Sequence, residues 1–222
     1  MDEIKNTNYN KMAPYYNAIT NVISEGGNIR SQRYFLQYVN KTDKVLNVGC
    51  GSVQFNSDIA KHCEDVVSID IAEKMIEIAK ENLIKENLDK NVTFICKDVM
   101  KYQDEKKYDV IFANFILNTF EWENVPKVLT HICSLLKDEG MLCIADEHIA
   151  NRLWPRISQS LFRPGISFLH HVWAGHPMHK VYDYERILND LGLERVHYKV
   201  DEADVVESSV YKKRRPDMES QV

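Results

Sequence analysis

The sequence predicts an α/β fold, with a largely parallel sheet that helices cover on both faces. Between residues 45 and 146, apolar segments of strand length alternate with amphipathic segments of helical length. Four of the strand-like segments are almost continuously apolar, as expected for strands buried on both faces. A chain of 222 residues is long enough to form one such domain with a full core.

The predicted elements follow a regular order up to residue 150. The predicted strands are 45–49, 66–70, 92–96, 108–114 and 141–146. The predicted helices are 8–40 (interrupted at Gly26 and Gly27), 56–63, 72–87 and 125–137. The helix at 72–87 is the clearest, because four apolar residues fall on one of its faces: Met75, Ile76, Ala79 and Leu83.

After residue 150 the alternation stops. A segment at 151–180, rich in aromatic residues and interrupted by prolines, leads into a predicted helix at 182–191. Two β-like segments follow at 193–200 and 208–213. The connection between them is short, which predicts an antiparallel pair at the edge of the sheet.

Composition argues against several classes of protein. The net charge is −5, so we expect no global basic field for nucleic acid. No apolar run approaches the roughly 20 residues of a membrane helix, and the first ten residues do not resemble a targeting peptide. The five cysteines form no CxxC pair and lie mostly in apolar segments. We therefore expect reduced thiols and a cytoplasmic protein.

The turn after the first strand indicates a ligand site. In VGCGS, Gly49 and Gly51 permit a sharp turn and a close approach of the backbone to a ligand. The third glycine of a dinucleotide-binding GxGxxG is absent, because Gln54 occupies that position. Asp70 ends the next strand, where a carboxylate accepts hydrogen bonds from both hydroxyls of a ribose. Asp98, after the third strand, is placed to reach an adenine edge, so the pattern predicts an adenosine-type ligand.

The motifs resemble those of class I S-adenosylmethionine-dependent methyltransferases, nearest to the small-molecule branch that includes the quinone-ring methylases. The matching segments are, in order, VLNVGCGSVQF, VVSIDIAEKMIEIAKENL, VTFICKDV, YDVIFANFILN and LLKDEGMLCIADE. The segment YNKMAPYYNAI resembles the family's lid helix. The resemblance implies a Rossmann-like doubly wound sheet of seven strands, the last antiparallel, with an N-terminal helical lid and a helical insertion after strand 5.

The resemblance also implies one domain in four parts and a site for S-adenosylmethionine. The parts are lid helices at 1–40, a cofactor-binding core at 41–147, a substrate cover at 148–181, and a helix with edge strands at 182–222. The methionine moiety is expected near the glycines, the ribose on Asp70, and the adenine between Ile71 and Val99. The cofactor-binding candidates are Asn47, Gly49, Cys50, Gly51, Asp70, Ile71, Met75, Asp98, Val99, Asn114 and Phe115.

Two positions depart from the family's pattern. Asn47 replaces an Asp or Glu that usually contacts the cofactor's ammonium, and Val53 replaces a third glycine. The lost charge removes an attraction of roughly 1–2 kcal/mol, which favours a weaker cofactor site or an unusual transfer. The departures also support an alternative function, a protein that binds the S-adenosyl nucleoside without transfer. A nicotinamide-dependent oxidoreductase is disfavoured by the missing third glycine of GxGxxG.

The acceptor is expected to be a small molecule, apolar or aromatic. Asn114 and Phe115 follow the fourth strand, where acceptor and methyl should meet, but ANFI lacks the prolines found in nucleic-acid amino methylases. His148, after the fifth strand, is a candidate general base, with an ordinary surface histidine as the alternative. The substrate candidates are Tyr15, Tyr16, Asn118, His148, Trp173 and His176.

The segment at 151–180 allows three interpretations. Its apolar, aromatic and arginine residues suit a cover over the acceptor, a helix packed on the sheet edge, or a peripheral membrane contact through 151–173. Its histidines raise the question of a metal, but the spacing HHx4HxxH matches no zinc pattern, and we expect no metal. The histidines are His170, His171, His176 and His179. We expect no nucleic-acid partner, and the oligomeric state is open.

Overall fold

The computed structural model describes residues 26–52, 54–174 and 181–214. Seven strands form one mixed sheet. They are β1 Lys44–Val48, β2 Asp65–Asp70, β3 Val92–Cys96, β4 Tyr108–Phe112, β5 Leu136–Glu147, β6 Leu193–Val200 and β7 Val206–Lys213. Their order is β3–β2–β1–β4–β5–β7–β6, in which the first five are parallel and β7 is antiparallel to both neighbours. The predicted seven-stranded doubly wound sheet is confirmed.

Helices connect the strands in the predicted sequence. Within the described residues they are α1 Gly27–Arg33, α2 Phe55–His62, α3 Glu73–Lys85, α4 Val125–Ser134, α5 Leu153–Ala174 and α6 Glu185–Asp190. Most of the predicted helix at 8–40 lies outside these residues. Its remainder is α1 and a 3-10 segment, Tyr34–Tyr38, preceded by Gly26 in a left-handed conformation with φ 76°.

Several predicted element ends differ by a few residues, and the boundary between the fourth helix and the fifth strand is wrong. The helix predicted at 125–137 ends at Ser134, and the strand predicted at 141–146 begins at Leu136. Leu136 pairs with Tyr108, but the next pair of this ladder is Met141 with Val110, so the register shifts between them. The intervening polar residues bulge out of the ladder, and their pattern therefore resembles a helix end followed by a turn.

The sheet is buried on both faces by alternating side chains. Leu46, Ile111 and Leu142 belong to the core that α4 covers, whereas Val45 and Val110 belong to the core that α2 covers. A period of two between opposite faces is the geometry of a β-strand, and it explains the continuous apolar runs in the sequence. Helices thus cover both faces of the sheet.

The carboxyl ends of the parallel strands β1 to β5 lie at one edge of the sheet. The chain runs from β1 outward to β3, then returns to place β4 on the other side of β1. Such a reversal of strand order leaves a crevice between the loops, which is where open α/β sheets bind ligands. Among the described residues, no helix is both long and apolar enough to cross a membrane.

Candidate functional site

The loop between β1 and α2 depends on two glycines in different ways. Gly49 and Gly51 have φ values of 62° and 54°, in the left-handed region. A Cβ at Gly49 would lie 2.5 Å from the Cδ1 of Ile116, so this glycine permits close packing. A Cβ at Gly51 would meet nothing within 4 Å. Open space beside Gly51 is therefore present where the sequence predicts the ligand.

Asp70 holds this loop at the end of β2. One carboxylate oxygen accepts a hydrogen bond from the backbone N–H of Gly51 and the other from that of Ala72, each at 2.8 Å. A carboxylate offers about four acceptor positions, so these bonds leave acceptor capacity for a ribose hydroxyl. Burial raises the pKa of Asp70 above its ordinary value, although backbone hydrogen bonds from Ala72, Gly51 and Ile71 oppose this shift.

A pair of buried amides supports the loop from below. Asn47 donates from its Nδ2 to the Oδ1 of Asn56 at 3.1 Å. Asn56 in turn donates to the backbone carbonyls of Cys50 and Gly51, at 3.1 and 3.2 Å. Asn47 thus orients Asn56 within the protein. Sequence reasoning missed Asn56, whose only signal is an amide in the first turn of α2, just after the glycine loop.

The two residues predicted to contact the adenine differ in exposure. Ile71 is 37% exposed and Val99 is 5% exposed. Asp98 accepts a hydrogen bond from the backbone N–H of Met100 at 2.9 Å and so caps the turn at Val99–Lys101. The side chain of Met75 is buried in the core instead.

The side chain of Cys50 is likewise buried, although its backbone forms part of the glycine loop. Burial raises the pKa of its thiol well above the ordinary value. Cys50 and Met75 can therefore shape the site, but their side chains belong to the core.

Asn114 has an unsatisfied amide at the end of β4. Its Oδ1 accepts the backbone N–H of Ala145 at 3.0 Å, but its buried Nδ2 has no partner within the described structure. An unpaired buried donor costs about 1–3 kcal/mol, and a bound molecule that accepts a hydrogen bond from it would remove that cost. Phe115, the next residue, adopts a φ of 52°, which is strained for an aromatic residue. The structure thus has an unpaired donor and a strained turn where the acceptor was predicted.

Asp146, at the end of β5, is the centre of a buried network. Its oxygens accept hydrogen bonds from the amide of Asn118 at 2.8 Å and from the hydroxyl of Tyr184 at 2.7 Å. Burial, together with the nearby carboxylates of Glu147 and Glu207, raises the pKa of Asp146 to about 7, although the bond from Tyr184 opposes this. Sequence reasoning predicted Asn118 but missed Asp146 and Tyr184. A carboxylate that ends an apolar strand was the available signal.

His148 is held between β5, the β6–β7 hairpin and α5. Its Nδ1 lies 3.0 Å from Glu207 Oε2, and its Nε2 lies 3.1 Å from the amide nitrogen of Asn151. If Asn151 donates, Nε2 accepts and Nδ1 donates to Glu207. The backbone carbonyl of His148 accepts from Gln159 of α5 at 2.7 Å. These contacts favour an anchoring role, and its role as a base stays a prediction.

The remaining residues predicted to contact the acceptor lie outside the described residues, or only their backbone is described. Tyr15, Tyr16 and His176 fall in residues that are not described, as does Val53. Only the backbone of Trp173, within α5, is described. The same limit applies to the histidine run, so the expectation of no metal there is untested.

The sequence was compared with known protein families, and one family matches the part of the chain that contains this candidate site. The profile of a family described as "Methyltransferase domain" matches residues 39–208. The chain belongs to this methyltransferase family. The match spans β1 to β6 and the first residues of β7, and it confirms the resemblance found in the sequence motifs.

The methyltransferase domain has relatives with different acceptors. It is 35% identical over 130 residues to malonyl-[acyl-carrier protein] O-methyltransferase 1 of Ilyobacter polytropus, covering 57% of this chain and 46% of that protein. It is 29% identical over 115 residues to the ubiquinone biosynthesis O-methyltransferase of Coxiella burnetii, covering 50% and 46%. The chain thus spans about half the length of these curated relatives.

A solved structure has the same fold over almost the whole chain. The DhpI–SAH complex superposes with a TM-score of 0.67 at 17% identity and covers 94% of each chain. At this identity the likeness concerns the fold alone. The superposition agrees with a Rossmann-like fold for this chain.

Proposed function

We propose that the protein binds S-adenosylmethionine at the carboxyl edge of β1 to β4 and transfers its methyl group to a small, apolar or aromatic molecule. The observation that carries this proposal is the bond from Gly51 N–H to Asp70 at 2.8 Å. It joins the glycine loop and the candidate ribose acceptor into one preformed unit. Pre-formed polar groups bind without the cost of ordering them.

The chain's residues divide the binding between them. Asp70 accepts the ribose hydroxyls with the acceptor positions that its backbone bonds leave free. Gly51 provides the open space for the methionine moiety. The unpaired Nδ2 of Asn114 donates to a polar atom of the bound molecule, which would remove the cost of its burial. Ile71 and Val99 contact the faces of the adenine.

The cofactor supplies a methyl group on a positively charged sulfur, which leaves as a neutral thioether when a nucleophile takes the methyl. The chain must align that nucleophile and exclude water. Asn118 serves the alignment, because its amide nitrogen is fixed by Asp146 at 2.8 Å and its carbonyl oxygen can accept a hydrogen bond from the acceptor. Asp146 is therefore a positioning residue.

The two parts that flank the cofactor-binding core would enclose the acceptor. We assign the lid to residues 1–40 and the cover to residues 148–181. The cover is joined to the end of β5 through Gln159 of α5, whose side chain donates to the backbone carbonyl of His148 and accepts from the N–H of Ala150. The methyltransferase names of the relatives favour transfer over binding alone.

Two measurements test the proposed function. Calorimetric titration should show binding of S-adenosylhomocysteine and no binding of NADH. Incubation with S-adenosylmethionine and a metabolite extract should then release S-adenosylhomocysteine. Binding without release would favour the alternative, a protein that binds the nucleoside but transfers nothing. Binding of NADH in its place would refute the proposed cofactor.

A further inference from the structure

The first turns of α5 present an apolar face to solvent. Leu153, Trp154 and Leu161 are 69%, 78% and 70% exposed, and Ile157 is 40% exposed. At 3.6 residues per turn, these four positions fall within an arc of about 100°. A helix packed on the sheet edge would bury its apolar residues. Contiguous exposed apolar residues of this kind mark an interaction surface.

The charge around this face is unlike that of the chain as a whole. The chain carries 33 acidic and 28 basic residues, yet none of residues 148–182 is Asp or Glu. Arg152 and Arg156 lie in this stretch and are exposed. Arg152 is drawn toward Asp204, whose carboxylate oxygen lies 3.6 Å from its Nε. Arg156 is one helical turn before Ser160 and borders the apolar arc. An apolar face with a tryptophan and basic neighbours complements an anionic lipid surface.

The position of α5 places this face beside the candidate site. Gln159 donates to the carbonyl of His148 at 2.7 Å and accepts from the N–H of Ala150 at 3.0 Å. These bonds fix the start of α5 to the carboxyl end of β5, where Asp146 and Asn118 meet. A surface that receives α5 would therefore lie next to the acceptor side of the site.

We propose that Leu153, Trp154, Ile157 and Leu161, with Arg156 beside them, dock the protein on an anionic lipid bilayer. We name these five residues the α5 face. The helix lies in the interface, with its apolar side chains among the headgroups and upper acyl chains. If the proposed function holds, the acceptor is an apolar molecule that reaches the site from the bilayer.

Flotation of the full chain with lipid vesicles tests the docking. The protein should float with phosphatidylcholine vesicles that contain phosphatidylglycerol, and less with phosphatidylcholine alone. The double variant Trp154→Ser/Leu161→Ser should reduce partitioning by about tenfold or more, since both side chains lose burial in lipid. Arg156→Gln should reduce it by roughly fivefold on anionic vesicles only. Ile84→Ser is the matched control, because Ile84 is 59% exposed on α3, away from this face.

Three results would overturn the proposal that the α5 face docks on an anionic bilayer. They are no flotation of the wild type, equal flotation of the double variant and the Ile84→Ser control, and equal flotation on both vesicle types. Sedimentation velocity provides a further test. Self-association that the double variant abolishes, without vesicle binding, would make the face an interface between copies. Vesicle binding needs no cofactor, so failure of the wild type to bind S-adenosylhomocysteine would count against the proposed function alone.

Discussion

The two halves of the candidate site differ in how their polar groups are held. In the cofactor half, formed by the loops after β1, β2 and β3, carboxylates bond to nearby backbone: Asp70 to Gly51 and Ala72. In the acceptor half, formed by the loops after β4 and β5, Asp146 is buried and Asn114 has an unpaired amide nitrogen. Burial raises the pKa of the carboxyl group in both halves, but the cofactor half is preformed by backbone hydrogen bonds, whereas the acceptor half also leaves a buried donor unpaired. Such costs are concentrated at functional sites.

The largest effect is expected for Asp70→Ala, which would break the cofactor half. The variant loses the ribose acceptor, so the affinity for S-adenosylhomocysteine should fall by about 2–4 kcal/mol, or roughly 30- to 1000-fold. The melting temperature should also fall, because two backbone N–H groups lose their acceptor. Calorimetry and thermal unfolding measure the two effects. Asp65→Ala, an exposed residue at the other end of β2, is the control. Equal affinities in the two variants would refute the role of Asp70.

The difference between the halves also explains what the sequence could predict. The glycines and Asp70 act through short loops, and their spacing along the chain carries the information. The bonds of Asp146 to Tyr184 and of His148 to Glu207 join residues that are 38 and 59 positions apart. No local pattern encodes such pairs, because they depend on how β7 and α6 return to the sheet. The boundary at Leu136 was missed for a related reason, since the bulge is set by its partner strand.

The buried carboxyl group of Asp146, in the acceptor half, should make the free energy of unfolding depend on pH. The pKa of Asp146 is raised by burial to about 7, above the value of about 3.9 in an unfolded chain. The folded protein keeps this proton while the unfolded chain has lost it. The contribution to stability is therefore complete below pH about 4 and is lost as the pH rises through about 7. One group gives a slope of at most about 1.4 kcal/mol per pH unit.

Asp146→Asn should remove this slope. Thermal unfolding from pH about 5 to about 7.5 should show a smaller loss of stability in the variant than in the wild type. Tyr184, Glu147 and Glu207 face the carboxyl group and remain in place. Asp65→Asn, on the exposed end of β2, should follow the wild type. Parallel pH profiles of wild type and Asp146→Asn would contradict the raised pKa.

Asn47→Asp tests whether the cofactor half is built around an amide. The lost charge alone predicts that a carboxylate here strengthens binding of the cofactor's ammonium. The structure predicts a loss of stability of about 1–3 kcal/mol, because a carboxylate cannot donate to the Oδ1 of Asn56. The loss should shrink at acid pH, where the protonated carboxyl donates again. In an Asn56→Ala background the cost should be smaller, as a double-mutant cycle would measure. Unchanged stability with tighter binding would show that Asn47 simply takes the place of the family's carboxylate.

The smallest effect on transfer is expected at His148, and it separates anchoring from proton transfer. In His148→Asn, the amide nitrogen takes the place of Nδ1 and can still donate to Glu207, but the side chain can no longer accept a proton from a substrate. Because Gln159 of α5 bonds to the backbone carbonyl of His148, which the substitution leaves in place, we expect this variant to keep transfer and its pH profile close to wild type. His148→Ala removes the contact as well and should lose about 1–2 kcal/mol of stability. Initial rates of S-adenosylhomocysteine release across pH measure transfer. An equally large loss of rate in both variants, with stability retained in His148→Asn, would make His148 the general base.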